Sequence, residues 1–212
     1  MSDYYDLVND VMEPHSSGED YIQVLQEWVP TGGVRDTDFE GACELCSHTP
    51  LRWQYQIESV DTSATLWIGS RCLQNIYGET AKLEGRDEEQ ARKEARSEIR
   101  EAKKTYGKHK ILEALRSLWK LENSDFQGTI WSIADDLKER GHVTPKQAKL
   151  LDWRCSTHDI DFPMEFLSID LRKDKYKEQI KQMEDWKVAE IWQALDSKQR
   201  RRARERGWVK TP

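Results

Sequence analysis

The chain has 212 residues, 34% charged and 37% apolar, with a net charge of −6 and a mean hydropathy of −0.88. That length suffices for a self-supporting core in one large or two small domains. No apolar run approaches the ~18 residues that span a bilayer, which excludes an integral membrane protein built on hydrophobic helices.

The N-terminal residues Met1-Ser2-Asp3-Tyr4-Tyr5-Asp6 show neither a basic region nor an apolar core, so no secretory signal is visible. A cytoplasmic location is therefore expected, with cysteines kept as reduced thiols. Charge is uneven along the chain. Residues 1–42 carry ten acids against Arg35 alone, whereas residues 196–212 carry two acids against seven bases. An acidic head and a basic tail attract each other or meet separate partners.

Residues 1–12 predict a short amphipathic turn or helix, broken at Glu13-Pro14. Residues 20–29 predict a second helix stopped by Pro30 and Gly32-Gly33, so that 1–36 forms an acidic N-terminal segment. Cys43-Glu44-Leu45-Cys46 follows, a spacing that lets two thiolates grip one metal from a tight turn whose backbone N–H groups stabilise the sulfurs. Next come two runs with strand-like alternation. Arg52 to Ile57 sets Trp53, Tyr55 and Ile57 on one face, and Thr65 to Ile68 follows a polar turn. Gly69-Ser70-Arg71-Cys72 then opens a helix, with Ser70 as the expected N-cap and Cys72 in the first turn.

Knuckle, hairpin and ligand-bearing helix together resemble a treble-clef zinc finger over residues 37–80. The resemblance implies one structural zinc ion held by Cys43, Cys46 and Cys72. Such fingers take a further ligand one turn along the helix, where this chain has Asn75, a poor zinc ligand. His48, Cys155, His158 and, remotely, His15 are the substitutes, and a finger that has lost its metal and survives as a packed hairpin is the competing reading. The preferred reading of the Cys155–His158 pair is a buried, inert thiol and a surface histidine.

Beyond the finger, residues 81–125 predict a densely charged connecting helix and an amphipathic one. In the first, Ala91, Ala95, Ile99 and Ala102 form a stripe too thin to bury much, and Gly107 is an expected interruption. In the second, Ile111, Leu112, Leu115, Leu118 and Trp119 form the apolar face. Residues 126–212 predict a helical region with a basic final helix. Gly141 stops its first helix; Thr144-Pro145-Lys146-Gln147 and Asp196-Ser197-Lys198-Gln199 are helix starts. Phe166 to Leu171 is compatible with a short strand. The nine tryptophans sit mostly at spacings that suit a core, and packing is their expected role. The fold class expected is α+β, mainly α-helical, with one small zinc finger. The combination of knuckle finger and helical region is similar to small proteins of bacteriophages and mobile elements.

No metalloprotease, phosphate-loop or zinc-deaminase pattern occurs, and the five histidines form no acid–base constellation, so a non-enzyme is expected. The tail residues Arg200, Arg201, Arg202, Arg204 and Arg206 are the candidate nucleic-acid contacts, since guanidinium groups fork onto phosphate oxygens. A solubilising terminal helix is the competing reading. Arg52 and Arg71 beside Trp53 and Tyr55 offer a second stacking surface, for which packing against neighbours is the preferred account. Two functions are carried forward: a zinc protein associated with DNA or RNA, and a factor that binds or blocks a host or defence protein through its acidic head. No membrane partner is expected.

Overall fold

The computed structural model describes residues 4–208. The chain divides into two compact units, Met1–Tyr106 and Gly107–Pro212. The fold is α+β and mainly helical, with one three-stranded antiparallel sheet of order β1-β2-β3.

In the first unit, α1 (Tyr4–Leu7) runs on through irregular turns to His15 and buries Val8 and Met12. Helix α2 (Tyr21–Glu27) starts where Asp20 accepts from the N–H groups of Ile22 and Gln23, both at 2.9 Å. Strands β1 (Trp28–Gly41), β2 (Leu51–Ser59) and β3 (Thr65–Ile68) follow. The helix expected over 20–29 therefore ends early, and a long strand that local pattern did not announce begins at Trp28. Pairing with β2 decides it: Trp28 lies opposite Ser59 and Val34 opposite Tyr55. Pro30 and the two glycines read as a stop belong instead to an edge strand with a bulge, where a missing N–H is tolerated.

Glu27 ties this corner together. It is buried and accepts from the Ser17 and Gly18 N–H groups, at 3.0 and 3.1 Å, and from the Ser59 hydroxyl. Burial pushes its carboxyl up, but these hydrogen bonds outweigh that and hold it below the usual range. Helix α3 (Ser70–Leu83) packs on the sheet through Leu73 and Ile76.

Helix α4 (Glu88–Leu121) is continuous through Gly107. Its Ala91 and Ala95 are fully buried and Ile99 packs on the first core, so the thin stripe seats the helix closely and does not leave it solvated. Gly107 interrupts nothing because its role is steric: a Cβ there meets the Phe166 ring at 2.5 Å. Gly107→Ala is accordingly expected to destabilise the protein by about 1–3 kcal/mol despite alanine's better helix propensity, measured by denaturant unfolding.

The second unit contains α5 (Ser124–Arg140), α6 (Pro145–Thr157), α7 (Asp174–Lys181), α8 (Asp185–Glu190) and α9 (Ser197–Glu205). Local chemistry sets their ends. Asn123 caps α5, Gly141 closes it at φ 70°, and Thr144 and Asp196 form capping boxes with Gln147 and Gln199. The core gathers Ile111, Leu115, Leu118, Ile133, Leu151, Ile180 and Leu195. The 166–171 segment contributes one parallel bridge, Val143 to Ile169, and no full strand. The expectation that tryptophans pack inside fails for four of the nine: Trp119, Trp131, Trp153 and Trp186 are exposed, as is Leu112. Each sits on a helix whose opposite stripe already fills the core.

Candidate metal centre

Cys43 lies two residues past the end of β1 at Gly41, and a tight turn carries the chain to Cys46. The turn is closed by Ser47 N–H to the Cys43 carbonyl at 2.8 Å and by Cys43 N–H to the His48 carbonyl at 2.9 Å. Glu44 fastens it to β3: its N–H donates to the Trp67 carbonyl at 3.0 Å, and its carboxylate accepts from the Trp67 N–H at 2.7 Å. Cys72 comes from the first turn of α3, whose N-cap is Gly69, one residue earlier than expected. The Gly69 N–H points at the Cys43 sulfur, 3.3 Å away.

Three sulfurs thus converge, Cys43 to Cys72 at 3.6 Å and Cys46 to Cys72 at 3.3 Å, all within 4.8 Å of one another. They are free thiols, far outside the ~2.05 Å of a disulfide. A tetrahedral zinc ion with bonds of ~2.3 Å spaces its sulfurs at about 3.8 Å, close to what is seen here. The donor set is soft and its electrostatics suit a cation. A hydrogen bond from Cys72 lowers the Cys43 thiol to about 5 against the opposing effect of burial, with help from the N–H groups of Gly69, Cys46 and Leu45. The same contact, with burial, pushes Cys72 up.

The substitutes for a fourth ligand are engaged elsewhere or exposed. The Asn75 amide oxygen accepts from Arg92 at 3.0 Å. His15 and His48 are exposed. Cys155 is fully buried in the core of the second unit, its thiol pushed up to about 12 by burial, and His158 contacts Glu122 at 3.1 Å. Cys43, Cys46 and Cys72 form the only group of three or more metal-binding side chains that converges among the described residues.

The candidate nucleic-acid residues lie on α9 and its end. Arg201, Arg202, Arg204 and Arg206 are exposed, while Ala203 is fully buried and anchors the helix. Arg200 has a structural task, donating to the carbonyls of Trp192, Leu195 and Gln193 at 2.7–3.0 Å. Arg204 lies over Trp192 at 5.2 Å. Most of the second stacking surface is consumed by packing: Arg52 forks onto Asp36, Lys103 and Tyr106 cover Trp53, and Tyr55 is buried, while Arg71 alone of the four is exposed.

Two clefts of the second unit escaped the sequence. One, of about 450 Å³, lies between α6 and α8, flanked by the exposed Trp153 and Trp186 and lined by Lys146, Lys149 and Lys187. Its residues share one α6 face at spacings of three and four, a signal that was present but hidden by the expectation of packed tryptophans. The other, of about 330 Å³, holds His142, which is 3.1 Å from Asp170 and 2.7 Å from Arg172. The bridge between Val143 and Ile169 assembles it, so no local pattern could have disclosed it. No helix of the described residues is long and apolar enough to cross a membrane.

Compared with family models, with curated proteins and with solved structures, the chain matches none.

Proposed function

We propose that this is a non-catalytic, zinc-stabilised protein associated with nucleic acid. One zinc ion is structural and sits in a treble-clef-like finger. The observation that carries the metal reading is the convergence of three reduced thiols from a turn and a helix start. Zinc is favoured because thiolates on a tight turn select soft or borderline cations, and because clustered free cysteines need a partner.

Nucleic-acid association is supported by four exposed guanidinium groups on a helix held to the core by Ala203 and Arg200. The groove flanked by Trp153 and Trp186 adds aromatic faces of the kind single strands stack on, with Lys146 on its lining, whereas Lys149 there is paired with Asp152 and Glu190 and Lys187 with Glu184. The test is an electrophoretic titration of the protein with DNA and RNA at two salt concentrations. Binding is expected to weaken with salt, and a variant neutralised at Arg201, Arg202, Arg204 and Arg206 is expected to bind at least tenfold more weakly with a shallower slope. Unchanged binding by that variant overturns the tail assignment.

A second reading, a factor that engages a basic surface on another protein, is favoured by the exposed acids Asp6, Asp10, Glu13, Glu19, Asp38 and Glu40. Glu27, Asp20 and Asp36 do not serve it, since they hold the fold. Under this reading the intact protein shows no shift with nucleic acid at moderate salt.

A further inference from the structure

We infer that the metal's fourth position takes a ligand that no cysteine or histidine of the chain supplies, a water molecule exchangeable for a small external donor, with Tyr4 as the positioning residue that holds it. This rests on the metal reading above and adds to it. The fold brings three thiols together, and the next position along α3, one turn beyond Cys72, holds Asn75. Its amide oxygen already accepts from the Arg92 guanidinium at 3.0 Å, which draws off the electron density a metal would need.

A second observation comes from the same core. The Tyr4 hydroxyl is buried and has no hydrogen-bond partner. Its ring packs against the core that contains Cys43 and Cys72, and burial first, with the charge of Cys72 and Cys43 adding to it, pushes its hydroxyl up. Buried hydroxyls are rarely left unpaired, because their lost hydration is not replaced. A water oxygen held by the metal would accept the Tyr4 O–H and satisfy it.

Access and charge agree with an exchangeable ligand. Cys43 and Cys72 are buried, but Cys46 is only half-buried, so the site is reached from its side. Three thiolates on a divalent ion leave one negative charge, and a neutral fourth ligand adds none. Strong thiolate donation also reduces the ion's pull on water electrons, so the ligand stays neutral and leaves without proton transfer.

The full chain loaded with Co²⁺ tests this through its visible spectrum. Added imidazole is expected to shift the ligand-field bands of the wild type to a saturable end point. Asn75→Cys, which adds a fourth thiolate, is expected to raise the thiolate-to-cobalt absorption by about one third and to abolish the imidazole response. Tyr4→Phe removes one hydrogen bond to the departing water, so imidazole is expected to saturate at about fivefold lower concentration, the factor one such bond supplies. A wild-type spectrum unmoved by imidazole, or one altered by His48→Ala, overturns the exchangeable position. An unchanged half-saturation in Tyr4→Phe overturns the role of that residue. Failure to take up cobalt at all overturns the metal reading itself, an outcome distinct from uptake without response.

Discussion

Cys72→Ala is expected to abolish zinc binding and to lower the thermal transition of the first unit, while the second unit keeps its own. Cys72 is the one thiol supplied by α3, so its loss leaves two ligands on a turn and releases the start of that helix from the Cys43–Cys46 segment. In small metal-folded modules the ion contributes ~10–16 kcal/mol to folding. Here Cys43 and Cys72 belong to a larger apolar core with Val8, Met12, Leu25, Ile57 and Ile68, which holds part of the unit without the ion, so only a share of that is lost. The wild-type transition should rise with free zinc, by about 1.4 kcal/mol for each tenfold excess above the dissociation constant. Calorimetry of wild type and variant at two zinc concentrations checks this. Superimposable, zinc-independent transitions would contradict it.

Arg154→Met is expected to cost the second unit about 3–5 kcal/mol. Glu122 is buried, and Arg154 grips both its carboxylate oxygens while His158 reaches one of them. Removing the guanidinium leaves a buried charge with one partner, which costs more than the pair itself contributes. The pH dependence has a defined sign. Arg154 holds the Glu122 carboxyl below its ordinary value despite the opposing effect of burial. The folded state therefore binds protons less readily than the unfolded chain. The resulting stability is fully present above the ordinary carboxylate range near pH ~4.3 and is lost as pH falls through the lowered value. Glu27 behaves alike in the first unit, so both units are expected to be acid-labile. In Arg154→Met the acid-side loss should begin at higher pH. A denaturant series across pH 3–7 (a range chosen around the ordinary carboxylate value of about 4.3) checks both points; a variant as stable as the wild type at pH ~7 would refute the role given to Glu122.

These two elements also mark what the amino-acid order discloses. The sulfur site was legible because its parts are local: a two-residue gap between cysteines, an alternating hairpin, and a third cysteine just past Gly69-Ser70. The caps at Thr144 and Asp196 were legible for the same reason, since each bonds a backbone group within three residues. Strand β1 was not, because Trp28–Val29 continues a helical pattern until β2, some 30 residues on, offers a pairing edge. Arg200 looked like one more tail charge, and only the fold of the preceding turn turns it inward to the Trp192 and Leu195 carbonyls. His142 and Asp170 are linked by a bridge between segments that no periodicity relates.

The most direct test of the central claim is the metal content of protein purified without chelator, measured by elemental analysis alongside a Cys43→Ser, Cys72→Ser variant. One zinc per chain in the wild type, falling to near zero in the variant, is the result expected from three converging thiols. Well under one zinc per chain in the wild type, or equal zinc in both proteins, would contradict it.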